Sequence, residues 1–324
     1  MSRELLFKVE ALPYRRLLSQ TFTLIDYPPL GALPAAEIRE RVEVLVTSGN
    51  AGATRGDMAS LPALSLICCV GTGYENVDLD AARDRGILVS HGAGTNAGAV
   101  ADHAFALLLA VMRDIPRFDA SARRGDWRGA IGSRPIPTGK RLGLIGMGGI
   151  GERVALRAAA FDMEIAYHTR RKRTDLPWTH FDSALALAEE VDCLVVAAPG
   201  GPKTRHMVDA AVLAALGPRG FLVNVGRGSI VDTQALVAAL RAGGIAGAGL
   251  DVYEDEPSIP QDLRDLPNVV LTPHVAAHAP EVQTAAARLL QSNVELFLSE
   301  RRILTPIPEI RGQTAGEPTI ARWS

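Results

Sequence analysis

Apolar residues in this chain fall into short runs rich in Val, Ile and Leu, separated by stretches whose apolar positions recur with helical spacing. Runs at Leu5–Val9, Thr21–Ile25, Val42–Thr47, Leu64–Val70 and Ile87–Ser90 predict strands, and Pro13–Ser19, Ala35–Arg41, Gly56–Leu61 and Leu79–Arg85 predict the helices between them. A second alternating series follows residue 140. Its strands are expected at Leu142–Ile145, Glu164–His168, Cys193–Ala197, Phe221–Asn224, Ala246–Asp251 and Val269–Leu271. Strands that alternate with helices build parallel sheets covered on both faces, so the first series reads as a small open α/β sheet and the second as a six-stranded doubly wound sheet. Between the two lies a long helical pattern, Ala99–Arg113, then a stretch from Ser121 to Thr138 rich in Arg, Gly and Pro that carries Trp127. An amphipathic helix over Glu281–Ser299 follows the last strand. The expected fold class is α/β with two Rossmann-like or flavodoxin-like domains. The doubly wound one, residues 99–282, is inserted in a smaller one made of residues 1–98 and 283–324.

One segment says what the inserted domain holds. Arg141-Leu-Gly-Leu-Ile-Gly146-Met-Gly148-Gly149-Ile150-Gly151 reads as a buried strand, a glycine turn and a helix start, with the helix running to about Phe161 and a second strand, Glu164–His168, closing a βαβ unit. Gly146 permits the tight turn, Gly148 lets backbone approach a dinucleotide pyrophosphate, and Gly151 lets the helix pack close to the strand. Gly149 and Ile150 then stand at the positive helix end. NAD binders carry an acidic residue about 20 residues beyond the glycines, on the ribose 2′-OH. Here the second strand runs into Thr169-Arg170-Arg171-Lys172-Arg173, with no carboxylate before Asp175. Arginine forks bind a 2′-phosphate, so NADP(H) is expected over NAD(H), with contacts from Thr169, Arg170 and Arg171; the alternative is a solvated basic loop.

Composition narrows the class. With 324 residues and 47% hydrophobic content the chain suits about two domains, each able to bury a core. A formal net charge of −2 offers no overall attraction to nucleic acid or to an anionic membrane, which leaves small-molecule chemistry. The three cysteines, Cys68, Cys69 and Cys193, sit in apolar runs and read as reduced buried thiols. The amino terminus lacks a cationic segment followed by a long apolar run, so a cytoplasmic protein is expected, with a fraying tail at residues 312–319.

Three later motifs each set reactive side chains just after an expected strand end. In Gly226-Arg227-Gly228 a planar guanidinium between glycines can bind a carboxylate at two points and polarise an adjacent carbonyl. In Asp251-Val-Tyr-Glu254-Asp255-Glu256 four carboxylates fall within six residues, a pattern that otherwise faces water or binds a cation. In Thr272-Pro273-His274-Val-Ala276-Ala277-His278 two histidines stand four apart, but the flanking prolines argue for a loop and no convincing third metal ligand exists, so no metal is expected. His274 as an acid or base paired with a carboxylate is the better reading.

The glycine turn, Arg227, Asp251, Glu256 and His274 together resemble the D-isomer-specific 2-hydroxyacid dehydrogenases. The resemblance extends over nearly the whole chain, through the loop Val70-Gly-Thr72-Gly73-Tyr-Glu-Asn-Val-Asp78, the Val100-Ala-Asp102 helix start and the Arg124-Gly-Asp-Trp127 arm. Within the family the chain is most similar to the NADPH-dependent glyoxylate/hydroxypyruvate reductases. The resemblance implies that Arg227 binds the substrate carboxylate and carbonyl, that His274 donates the proton to the carbonyl oxygen, and that Glu256 orients His274. A neighbouring carboxylate favours imidazolium. It further implies that Thr72 and Gly73 complete the carboxylate site, and that Pro199, Thr204, Val225, Asp251 and Ala276 join the glycines in holding the cofactor, Asp251 at the nicotinamide carboxamide. Ligands in such folds bind at strand carboxyl ends, so the cleft between the domains is the expected active site. The implied partner is a small 2-oxo or 2-hydroxy acid, and the implied assembly a homodimer with Phe105, Leu108 and Leu109 available for burial, though these three could equally be intramolecular core. Family members carry glycine and serine where this chain has Ala276 and Ala277, followed by His278. A competing function is that of the related nicotinamide-dependent corepressors, which use the same fold for binding rather than turnover.

Overall fold

The computed structural model of the chain describes residues 3–10, 12–28, 34–128 and 132–309, so the tail expected to fray lies outside the described residues. The chain divides into two compact units, residues 1–96 with 278–324, and residues 97–277.

The first unit runs β1 (Glu4–Phe7), α1 (Leu12–Leu18), β2 (Thr23–Asp26), α2 (Ala36–Arg41), β3 (Val44–Ser48), α3 (Arg55–Ser60), β4 (Leu66–Val70), α4 (Leu79–Asp84) and β5 (Leu88–Ser90). These strands form one parallel sheet in the order β2-β1-β3-β4-β5. Side chains alternate between its faces: Leu6, Leu45 and Ile67 pack with Met58 and Ala81, whereas Leu5, Val44 and Leu66 pack with Leu290, Val294 and Phe297 of the last helix. Local chemistry sets the helix starts. Thr54 and Asp57 form a reciprocal capping box on α3, and the Asp78 carboxylate accepts from the Ala81 N–H on α4.

The second unit runs α5 (Ala97–Arg113), α6 (Ile115–Arg123), β6 (Arg141–Ile145), α7 (Gly149–Ala160), β7 (Glu164–His168), β8 (Thr179–Phe181), α8 (Ala184–Ala188), β9 (Cys193–Val196), α9 (Ala210–Leu216), β10 (Phe221–Asn224), α10 (Thr233–Arg241), β11 (Gly247–Leu250), α11 (Gln261–Arg264) and β12 (Val269–Leu271); α12 (Pro280–Glu300) then belongs to the first unit. All strands are parallel, in the order β12-β11-β10-β9-β6-β7-β8. Every residue of β9, β10 and β11 is buried, as a strand covered on both faces requires. Glycines admit the long helix to the sheet: a Cβ on Gly249 would stand 2.9 Å from the Leu107 Cβ, and one on Gly247 2.7 Å from a Val111 methyl.

Two expectations need correction. The sheet has seven strands, not six, because Thr179–Phe181 pairs with β7. That segment is short and only partly buried, so its neighbour rather than its composition makes it a strand. The stretch from Ser121 onward begins inside a helix, since α6 continues to Arg123. Phe105 and Leu108 are core residues of the second unit, packed with Ala155, Ala158 and Val195, which is the intramolecular one of their two expected placements. The three cysteines are buried free thiols, and burial pushes Cys68 and Cys193 up to about 12, which keeps them protonated. Among the described residues no helix is long and apolar enough to cross a membrane.

Candidate active site

The strand order reverses at β6 and β9, where doubly wound sheets bind their ligands. The glycine turn sits at the carboxyl end of β6 and fits a dinucleotide residue by residue. Gly146 has φ +97°, and a Cβ there would lie 2.7 Å from the Ala198 nitrogen; a Cβ on Gly151 would lie 2.2 Å from the Gly146 carbonyl oxygen. Both positions are closed to any side chain. Gly148, the residue preceding α7, instead has nothing within 4 Å of its would-be Cβ, so open space faces the helix amino end where a pyrophosphate belongs. Ile150 anchors the first turn of α7 in the core beneath. Pro199 and Thr204 occupy the loop after β9, where the Thr204 hydroxyl donates to the Pro199 carbonyl at 2.9 Å. Val225 directly follows β10 and is buried.

Beyond β7, the side chains of Arg170, Arg171 and Lys172 are exposed. Arg173 is not part of that exposed set: it pairs with Glu152 at 2.8 Å and with Asp175.

The candidate catalytic side chains come from three neighbouring strand ends. Asn224, Leu250 and Leu271 are in register at the last positions of β10, β11 and β12, and the chain leaves each strand into a segment carrying one part of the site. After β10, Asn224 is buried and braces the turn: its amide donates to the Arg227 carbonyl at 3.1 Å and accepts from the Gly226 N–H at 3.1 Å. Arg227 packs against Gly200, and its Nη1 donates to the Gly226 carbonyl at 2.8 Å. A Cβ on Gly228 would fall 1.9 Å from the Tyr253 carbonyl carbon, so this glycine lets the Arg227 turn rest on the segment after β11.

Asp251, 1% exposed, organises that segment and the next. Its carboxylate accepts from the Thr272 hydroxyl (2.6 Å), the Val275 N–H (2.9 Å) and the Ala276 N–H (3.0 Å). Its carbonyl accepts the His274 N–H at 2.8 Å. Because the Thr272 hydroxyl donates to Asp251, it accepts from the His103 ring, whose Nε2 lies 2.9 Å away. These bonds fix His274 in a left-handed backbone conformation, φ +53°. The His274 Nδ1 lies 2.7 Å from Glu256 Oε2, and the other Glu256 oxygen accepts the Tyr253 N–H at 3.0 Å. The carboxylate therefore holds Nδ1 as the donor and leaves Nε2 as the working nitrogen. The Tyr253 hydroxyl closes the frame by donating to the Thr272 carbonyl at 2.9 Å.

The four clustered carboxylates thus do different jobs. Glu254 accepts from His206 Nε2 at 2.7 Å and from the Thr233 N–H; burial pulls against ionisation, but these donors outweigh it and hold Glu254 below the usual carboxylate range. Among the described residues no three His, Cys, Asp or Glu side chains are grouped to hold a metal ion. Sequence reasoning passed over Asn224, Thr272, Tyr253 and His103. A polar residue ending a fully apolar strand, as Asn224 does, was the available signal.

In the first unit, Thr72 and Gly73 lie in the loop after β4. The Thr72 carbonyl sits 3.0 Å from His91 Nδ1, while the backbone N–H groups of Thr72 and Gly73 have no acceptor among the described residues. His278 is exposed ahead of α12.

Comparison with known proteins bears directly on this arrangement. Residues 105–276, over half of the chain, match the family described as "D-isomer specific 2-hydroxyacid dehydrogenase, NAD binding domain". The chain belongs to this family. It is a nicotinamide-dependent dehydrogenase of the 2-hydroxyacid class. This dehydrogenase is 41% identical to hydroxyphenylpyruvate reductase of Plectranthus scutellarioides, over 83% of this chain and 86% of that one. It is 40% identical to 2-ketogluconate reductase of Gluconobacter oxydans, over 90% and 93% of the two chains. Among solved structures, the NADPH-dependent glyoxylate/hydroxypyruvate reductase of Sinorhizobium meliloti in complex with NADP and malonate superposes with a TM-score of 0.87 at 38% identity, covering 94% of this chain and 97% of that one.

Proposed function

We propose that this dehydrogenase reduces small 2-oxo acids such as glyoxylate or hydroxypyruvate, with NADPH preferred over NADH. The observation that carries the reading is the 2.7 Å His274–Glu256 pair, held one strand beyond Asp251 and two strands from Arg227. A bound reduced nicotinamide supplies the hydride that reaches the 2-oxo carbon. His274 gives the proton on Nε2 to the carbonyl oxygen, and the Glu256 carboxylate stabilises the charged ring before transfer. Arg227 takes the substrate carboxylate as a planar two-point partner and draws charge from the carbonyl. The free N–H groups of Thr72 and Gly73 are assigned to the same carboxylate, a role backbone donors in a glycine-rich loop fill well. Asp251 has an acceptor position left after its three internal donors and is assigned the carboxamide, and Ala276, whose N–H it holds, lines the same place. Gly146, Gly148, Gly149, Ile150 and Gly151 are assigned the pyrophosphate, with Pro199, Thr204 and Val225 along the cofactor.

The NADPH preference is supported by the exposed cations Arg170 and Arg171 beside Thr169, and by the Sinorhizobium enzyme, described as NADPH-dependent. We assign a cytoplasmic homodimer, in keeping with three unoxidised buried thiols and with exposed apolar side chains at Ile115, Trp127 and Ile136. Steady-state rates over a panel of 2-oxo acids with each reduced cofactor test the function, and light scattering tests the dimer. Tight NADPH binding with no turnover of any 2-oxo acid overturns the enzymatic reading, and an outright NADH preference overturns the cofactor assignment.

A further inference from the structure

The basic loop after β7 is closed by groups that do not themselves face a cofactor. Tyr167, fully buried, accepts a hydrogen bond from the Arg173 backbone N–H at 3.0 Å and donates its own hydroxyl proton to the Arg173 carbonyl at 3.1 Å. One phenol thus satisfies both main-chain groups of a residue six positions away. At the other end, the Thr169 carbonyl lies 3.0 Å from His180 Nε2, and the Thr169 hydroxyl donates across the loop to the Arg171 carbonyl at 2.7 Å.

The Arg173 side chain ties this loop to the glycine turn. Its guanidinium donates to the Met147 carbonyl at 3.1 Å and to Glu152 Oε1 at 2.8 Å, and pairs on its other edge with Asp175. Two carboxylates that would repel a bound dinucleotide are neutralised at once: Glu152 in the first turn of α7, and Asp175, the first acid after the strand. The Arg173 hydrogen bond holds Asp175 at about 2. What remains on the loop is Arg170, Arg171 and Lys172, exposed and with no ion-pair partner among the described residues.

We propose that Tyr167 and Arg173 are positioning residues for dinucleotide selectivity, holding the Thr169–Lys172 loop closed so that its three exposed cations converge on a 2′-phosphate monoester. The inference rests on the NADP(H) reading above. A loop already ordered binds its anion without the entropic cost of closing, and that saving applies only to a ligand that reaches the loop. NADPH reaches it through the 2′-phosphate; NADH does not.

Calorimetric titration of the full chain with NADPH and with NADH tests this in wild type, Y167F and R173Q. Y167F removes one oxygen and no charge, and the expected result is NADPH affinity weaker by about tenfold with NADH affinity within about twofold of wild type. R173Q lies near the surface and serves where Y167F fails to fold; it is expected to weaken NADPH several-fold more than NADH. Equal losses for the two cofactors, or no loss in either variant, overturn the inference while leaving the cofactor reading intact. A wild-type protein that binds NADH as tightly as NADPH overturns both.

Discussion

Replacing Asp251 with asparagine perturbs the frame that holds His274 while changing almost no volume. The buried carboxylate accepts three donors, from Thr272, Val275 and Ala276, at 2.6 to 3.0 Å. An asparagine oxygen can keep the Thr272 and Val275 donors on one side, but its NH2 then faces the Ala276 N–H, donor against donor. One charge-assisted bond, about 1.5–3 kcal/mol, is lost, and a buried N–H is left unsatisfied. The expected destabilisation is about 2–3 kcal/mol, which for a chain of this size lowers the melting temperature by about 3–5 °C. Because the His274 N–H donates to the Asp251 carbonyl at 2.8 Å, relaxation of the segment displaces the imidazole, and a shift of about 1 Å costs about 100-fold in kcat. Thermal unfolding followed by circular dichroism, with steady-state kinetics on the same preparation, reads both effects. A melting temperature within about 1 °C of wild type together with unchanged kcat refutes the argument.

His274→Gln removes the proton donor on Nε2 and should lower kcat by about 10²–10⁴-fold with much less change in dinucleotide affinity, measured by titration alongside turnover. The two glycines of the turn should separate cleanly: Gly148→Val keeps the melting temperature but abolishes dinucleotide binding, since its side chain enters open space, whereas Gly151→Ala drives a methyl into the Gly146 carbonyl and costs about 1–3 kcal/mol of stability as well. Far from the site, burial raises the Asp57 carboxyl, but hydrogen bonds from Lys8, Thr54 and Tyr27 outweigh this and bring it to about 2. A folded value below the unfolded one means stability present above about pH 4 and lost as pH falls toward 2, worth about 1 kcal/mol after solvent screening. Urea denaturation of Asp57→Asn should therefore show a deficit at pH 6 that shrinks by pH 3; an equal deficit at both would contradict the assignment.

Much of the architecture was legible because parallel sheets write themselves plainly. Strands covered on both faces must be apolar throughout, so β9 and β10 stood out as uninterrupted runs, and the glycine turn was recognisable because Gly146 and Gly151 occupy places where any Cβ meets backbone. Arg227, Asp251, Glu256 and His274 could be picked out because each lies just beyond a strand end. Their mutual geometry could not. Which carboxylate meets His274 depends on the register of β10, β11 and β12, and four acids within six residues look alike until Glu254 is found on His206 and Glu256 on His274. The edge strand β8 was missed because it gains its hydrogen bonds only from β7, and whether Phe105 and Leu108 meet a partner or the core stayed open because a helix pattern does not say which neighbour covers its apolar face.

Sequence by itself determined the succession of most elements, the glycine turn and the candidate site residues, since these follow from periodicity and from steric limits local to a few residues. Only the tertiary structure decided which groups pair: the Asp251 anchor beneath His274, and the Tyr167 and Arg173 clasp around the basic loop. Hydrogen bonds form between atoms within about 3 Å, and residues distant in sequence come that close only once the sheets are assembled.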